Sequence, residues 1–266
     1  MLKLCVSLLL LILSSVIHAA GCSDGTGTAI LPDSSKYTGE FRDCVFHGKG
    51  TLKWRNGAVY EGEFKEGLFH GDGKLTHHNG IVYLGEFERG LEEGDGILTY
   101  PNGDKYEGKF KGGEPEGRGV FSYSSGNRYE GQFKNGYYSG QGKLSYANGD
   151  VYEGGFQFNE YHGHGKMTFS NGVIVDSDFV NGEQNGKGAT LFPSGEKYVG
   201  DYVKGHWEGE GEYYFANGNR YIGHFSKGMF HGPGKIVFPD GREEVGRWEN
   251  NVRVNDSLDA TNKAAR

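Results

Sequence analysis

The chain carries 10 histidines, 3 cysteines and 35 acidic residues, and these are the groups that could do chemistry. His47, His70, His162 and His231 each stand just before a glycine. A shared position invites a metal reading. If the positions are equivalent in successive hairpins of a sheet, neighbours lie two strands apart, ~10 Å, too far for two imidazoles to share a zinc ion. Loop backbone groups are the expected partners instead. His162 and His164 form a closer pair, with no carboxylate or cysteine evident beside them in the sequence. Glu61, Glu63, Glu130 and Glu153 recur at fixed intervals. A glycosidase needs two carboxylates ~5–10 Å apart across a cleft. Regular carboxylates interleaved with lysines read as a solvated sheet face. Gly163-His164-Gly165-Lys166 looks like part of a phosphate loop, but no Gly-x-x-x-x-Gly-Lys-Ser/Thr is complete, and no Gly-x-Ser-x-Gly elbow occurs. The expectation is no enzyme, no metal site and no cofactor.

Cysteine usage depends on the N-terminus. Residues 1–20 read as a signal peptide: Lys3, an uncharged apolar run from Leu4 to Ile17, then His18-Ala19-Ala20. The run is shorter than the ~20 residues a membrane span needs. Cys5 falls inside it, which leaves Cys22 and Cys44. Ala19-Ala20-Gly21-Cys22 looks like a bacterial lipoprotein processing site, with Ala19 where a larger aliphatic residue is usual. Lipidation of Cys22 and a Cys22–Cys44 disulfide exclude each other, and both stay open. The expected location is export, to the periplasm, the cell envelope or the outside, with a membrane-anchored lipoprotein as one form. The formal net charge is −7, and loss of Lys3 with the signal takes it to −8. Such a chain is not expected to bind nucleic acid by electrostatics.

The elements behind these residues follow a period of 23. Tyr60-Glu61-Gly62-Glu63-Phe64 recurs at Tyr106, Tyr129 and Tyr152, more loosely at Tyr37, Tyr83, Tyr198 and Tyr221, and in degenerate form at Val175 and Glu244. A fixed period of this length marks a repeat array. Tyr60, Gly62 and Phe64 alternate with polar residues, and so do Gly71, Gly73, Leu75 and His77. Period two predicts two strands per unit with one apolar face. Asn79-Gly80, like Asn56-Gly57 and Asn102-Gly103, predicts a type I′ hairpin turn with positive φ at both residues. The inner glycines are expected to make room for a ring of the neighbouring repeat.

Tyr-Glu-Gly-x-Phe followed by Gly, Gly-x-Gly and Asn-Gly over 23 residues resembles the MORN repeat, across about residues 37–250. The resemblance implies scaffolding: protein–protein contact, self-association or membrane attachment. The expected fold class is all-β, an elongated single-layer antiparallel meander of stacked β-hairpins. Residues 21–36 are expected to be a linker, 37–250 the array of about nine full repeats and a partial one, and 251–266 a disordered tail. Val175, Ser177 and Phe179 cost one repeat a ring, which predicts a bend, a pocket or plain drift. Glu244 and Trp248 suggest a polar cap.

The functional expectation is a non-enzymatic scaffold that binds a protein partner or a second copy. Its candidate anchors are Trp54, Tyr137, Tyr138, Trp207, Tyr213 and Tyr214, chosen as large aromatics that a single sheet cannot wholly cover. A membrane or lipid tether, through lipidated Cys22 or an aromatic groove, is the alternative. Glycan binding along stacked rings is a further one.

Overall fold

The computed structural model describes residues 23–254, which form 21 antiparallel strands and, among the described residues, no helix. The chain divides into two compact units, one ending at Leu144 and one beginning at Ser145. The first contains β1 (Gly25–Ile30), β2 (Lys36–Arg42), β3 (Val45–Lys53), β4 (Val59–Lys65) and β5 (Leu68–Thr76). It continues with β6 (Val82–Glu88), β7 (Leu91–Thr99), β8 (Lys105–Lys111), β9 (Glu114–Ser122), β10 (Arg128–Lys134) and β11 (Tyr137–Ser145), whose last residue opens the second unit. The second unit holds β12 (Val151–Gln157), β13 (Glu160–Thr168), β14 (Ile174–Val180), β15 (Glu183–Leu191) and β16 (Lys197–Val203). β17 (His206–Tyr214), β18 (Arg220–Ser226), β19 (Met229–Val237), β20 (Glu243–Glu249) and β21 (Val252–Val254) complete it. Strands pair with their sequence neighbours, as β4 does with β3 and β5, and β16 with β15 and β17.

Each repeat uses two kinds of turn, and the type I′ turn expected at Asn-Gly is found at the other one. The two-residue loop with positive φ at both positions is Glu66-Gly67, at 53° and 80°. That is the type I′ geometry whose twist matches the flanking strands. At Asn56-Gly57 only Gly57 lies in the left-handed region, at 91°. There Gly57 N–H donates to the Trp54 carbonyl and Trp54 N–H to the Ala58 carbonyl. This is a type I turn closed by a left-handed glycine, the usual three-residue hairpin loop. Asn56 is chosen for its side chain, whose Oδ1 accepts the Ala58 N–H at 3.0 Å.

The second strand of the hairpin is also longer than expected. β5 begins at Leu68, three residues before Gly71, and the register slips between Gly62 and Glu63. Gly71, at φ 58°, forms the bulge. The slip leaves two extra residues on β5, so the alternation of that strand is kept, and Phe69 stands opposite Phe64 and is buried with it. Tyr60 stacks on Phe69 with centroids 3.8 Å apart. It meets Phe64 edge-on at 5.0 Å and Phe87 of the next repeat at 5.1 Å. Tyr60 thus ties its hairpin to the following one, through geometry that aromatic quadrupoles favour.

The glycine row follows from the tyrosine. The Tyr60 hydroxyl donates to the Glu63 carbonyl at 2.8 Å, so its ring must cross Gly62 and the facing Gly73. A Cβ on Gly62 would stand 2.6 Å from the Tyr60 hydroxyl and from the Gly73 Cα. The ring that excludes side chains therefore belongs to the same repeat, not to the neighbour as the sequence reading held. Burial pushes the Tyr37, Tyr152 and Tyr221 phenols up to about 12, so they stay neutral donors.

Three regions depart from the sequence expectations. Residues 25–30, read as linker, form β1 in register with β2. Residues 252–254, read as tail, form β21 against β20. In β14–β15 the space left by the missing tyrosine is filled, with Ser177 wholly buried and its Oγ occupying the place a Cβ on Gly188 would take. At β20 the ring position is Glu244, and Arg253 lies over Gly246 instead, donating to the Val245 carbonyl at 2.9 Å and facing Glu244. A guanidinium replaces the ring, which is a polar end to the stack.

Candidate interaction surface

The inner face is structural. Tyr37, Tyr60, Tyr83, Tyr106, Tyr129, Tyr152, Tyr198 and Tyr221 have no solvent-exposed surface. The six candidate anchors separate accordingly. Tyr138 is buried, stacked on Tyr129 at 3.6 Å, and its hydroxyl bonds that of Tyr123 at 2.6 Å. An anchor must be reachable, and Tyr138 is not. Trp54 is half-buried, edge-on to Phe69, and Tyr137 is half-buried at the start of β11. Trp207 stacks on Tyr198 at 4.3 Å, and Tyr213 packs on Phe215 and Phe230; both are half-buried beside the cluster of Tyr198, Tyr202, Tyr221, Phe225 and Trp248. Tyr214 points the other way, since neighbours in a strand face opposite sides. Its hydroxyl donates to Glu212 at 2.6 Å, and its ring lies between Lys197 and Arg220, 6.0 and 5.7 Å from the centroid.

Tyr214 marks the outer face, which changes along the array. In the first unit the position of Glu61 is again acidic at Glu107 and Glu130, with Thr38 and Leu84 as the exceptions. In the second unit the same position is still acidic at Glu153 and Asp176 and turns aliphatic only in the last three repeats, at Val199, Ile222 and Val245. Val199 faces Ala189 on one side and Glu212 on the other; Lys235 stands between Ile222 and Val245. Val245 is 69% exposed and Val199 37%. Leu191, on the same face of β15, is 42% exposed. Aliphatic side chains held in water by a sheet face are a recognition signal rather than a core.

The histidine and carboxylate positions have structural duties. Glu93, Glu116 and Glu208, at the position of His47 and His70, accept the backbone N–H of Gly112, Asn135 and Lys227 in the following turn. Glu40 and Glu86, equivalent to Glu63, accept the bulge N–H of Lys49 and Asp95. His164 does have carboxylates beside it, contrary to the sequence reading: Asp176 lies 2.9 Å from Nε2 and Asp178 3.2 Å from Nδ1. They flank opposite ring nitrogens, so they do not converge on one point as metal ligands must. Among the described residues no group of three such ligands comes together. Cys44 is disulfide-bonded, while Cys22 lies outside the described residues, as does the whole signal segment.

The repeat itself decides the family. Nine MORN repeats match at residues 37–59, 60–82, 83–105, 106–128, 129–151, 152–174, 176–197, 198–220 and 221–241. The chain belongs to the MORN-repeat family. MORN repeats mediate protein or membrane-lipid interaction and are generally non-catalytic. No curated protein matches the chain. Among solved structures, the TCP10 domain of Danio rerio CPAP (E1021V mutant) is similar at 11% identity, over 84% of this chain and 99% of that one, with a TM-score of 0.43. The TCP domain of Drosophila melanogaster SAS-4, in complex with a proline-rich motif of Ana2, is similar at 13% identity over 84% and 90%, with a TM-score of 0.25. Neither reaches 0.5, and membership rests on the repeat match.

Proposed function

We propose that this MORN array is an exported, non-enzymatic scaffold that binds a protein partner through the outer face of its last three repeats. The observation that carries the reading is the replacement of the acidic position by Val199, Ile222 and Val245, beside Tyr214. Three aliphatic residues at one register position, with a tyrosine and two cations next to them, make an apolar contact with a charged border. That is the composition of a binding patch. The leader-like residues 1–20 support export, and the disulfide at Cys44 suits an oxidising compartment. The test is capture of partners from the envelope or secreted fraction by the wild-type chain and by Val199→Glu/Ile222→Glu/Val245→Glu. Loss of a specific partner with an unchanged β-sheet spectrum is expected. Retention of that partner by the triple variant overturns the assignment.

A second reading, glycan binding, draws on the half-buried Trp207 and Tyr213 at the edge of the aromatic cluster. Oligosaccharide binding to the purified chain, abolished by Trp207→Ala and untouched by the triple variant, would select it.

A further inference from the structure

The stack of rings in the first unit is interrupted at one place by two ionisable side chains. The residue just after the long strand of one repeat reaches the second residue of the next long strand, fifteen positions on. Trp54 meets Phe69 at 5.9 Å, Phe192 meets Trp207 at 6.1 Å and Phe215 meets Phe230 at 5.9 Å. Tyr123 and Tyr138, and Tyr146 and Tyr161, hold the same relation through their hydroxyls. At the equivalent positions between β5 and β7 the residues are His77 and Glu92. His77 is 9% exposed and Glu92 7%. Nε2 of His77 is buried and has no hydrogen-bond partner. Glu92 takes the seat that Phe69 fills on Tyr60, opposite Phe87 and over Tyr83.

The backbone at both residues is fully engaged, so this is not a frayed segment. His77 N–H donates to the Ile81 carbonyl and its carbonyl accepts from Gly80, while the Glu92 carbonyl accepts from Gly113. The charged groups nearby do not neutralise a carboxylate. Glu86, Glu93 and Asp95 surround the Tyr83 hydroxyl from β6 and β7, and His78 is beside His77. Lys109 of β8 is committed to Asp95 at 2.7 Å. The inner residues contributed by the flanking strands are Tyr83 and Phe87 from β6 and Phe110 from β8, which meets Tyr83 edge-on at 4.8 Å. A charge here has a poor seat.

We propose that His77 and Glu92 form a proton-controlled seam, at which the β4–β5 hairpin loosens from the β6–β7 hairpin when either side chain takes charge. Burial pushes the Glu92 carboxyl up from 4.5 to about 7, so its contribution is complete below 4.5 and is lost as pH rises through 7. Burial holds His77 below its ordinary 6.5, with His78 adding to the effect. Its contribution is complete above 6.5 and is lost as pH falls through the lowered value. The seam is therefore tightest in mildly acid solution and opens on both sides.

The experiment is amide hydrogen exchange of the full chain from pH 4 to 9, corrected for intrinsic exchange, with Glu92→Gln and His77→Phe as variants. Wild-type protection in β6–β7 is expected to fall about tenfold from pH 6 to pH 8, following the Glu92 shift. The β16–β19 amides, where Trp207 and Phe230 hold the equivalent seats, are expected to show no such limb. Glu92→Gln, a neutral isostere, is expected to remove the alkaline limb alone, and His77→Phe the acid limb alone. Unchanged β6–β7 profiles in both variants, or the same limbs in β16–β19, overturn the proposal. Because the readout is local protection and not partner capture, it stands or falls apart from the binding face.

Discussion

The hairpins β4–β5 and β14–β15 share a backbone and differ in their rings. Tyr60 faces Leu75 and Val175 faces Thr190 in the same register, and each pair slips at the same point, after Gly62 and after Ser177. The first hairpin buries Tyr60, Phe64 and Phe69; the second keeps Phe179 but has Val175 and Gln184 at the other two positions. Turns and bulge glycines are thus sufficient for the hairpin, while the rings hold one hairpin to the next. The comparison also shows why the substitutions come together. Ser177 fits where Gly62 is required because no tyrosine crosses it, its Oγ lying 3.4 Å from the Lys187 carbonyl.

The strongest way to break this comparison is Tyr60→Ala, expected to cost about 3–5 kcal/mol in chemical denaturation, as large aromatic truncations do. Val175→Ala is expected to cost clearly less, having no ring contacts to lose. Gly62→Ala comes next, at about 1–3 kcal/mol, because its Cβ meets both the Tyr60 hydroxyl and the backbone of Gly73. Tyr60→Phe removes one hydrogen bond to Glu63 and is expected to cost about 1 kcal/mol.

Sharpening the comparison means rebuilding the ring in β14–β15. Val175→Tyr alone sets a ring against Ser177, and Ser177→Gly alone leaves a void. The double variant restores the motif, and a double-mutant cycle is expected to show favourable coupling of about 0.5–3 kcal/mol. Additive losses would mean that the two positions are independent. The smallest expected effect is Val245→Glu, on the exposed face, within about 0.5 kcal/mol of wild type.

Much of this was legible from spacing alone. Period 23 and the two-residue alternation at Tyr60-Gly62-Phe64 specify strands, a common inner face and the family. Phe69 continues the alternation of Gly71, Gly73 and Leu75, because the register slip adds two residues to β5 and keeps the period. With the strand taken to begin at Gly71, Phe69 and its equivalents, the stacking partners of the tyrosines, were missed, and Tyr138 was misread as exposed. The Asn-Gly turns misled because asparagine serves two turn types, one through φ and one through its side chain; Glu66-Gly67 lacked that signal. The outer stripe of Val199, Ile222 and Val245 is visible only when equivalent positions are compared down the repeats, not along one strand.

The most direct test of the binding face places a photo-crosslinking residue at Val245 in one preparation and at the equivalent Glu61 in another. Each full-length chain is irradiated in the fraction where it naturally resides. The expected result is a discrete adduct from position 245 and none from position 61. Adducts from position 61 alone, or equally from both, would contradict the assignment of recognition to the outer face of the last three repeats.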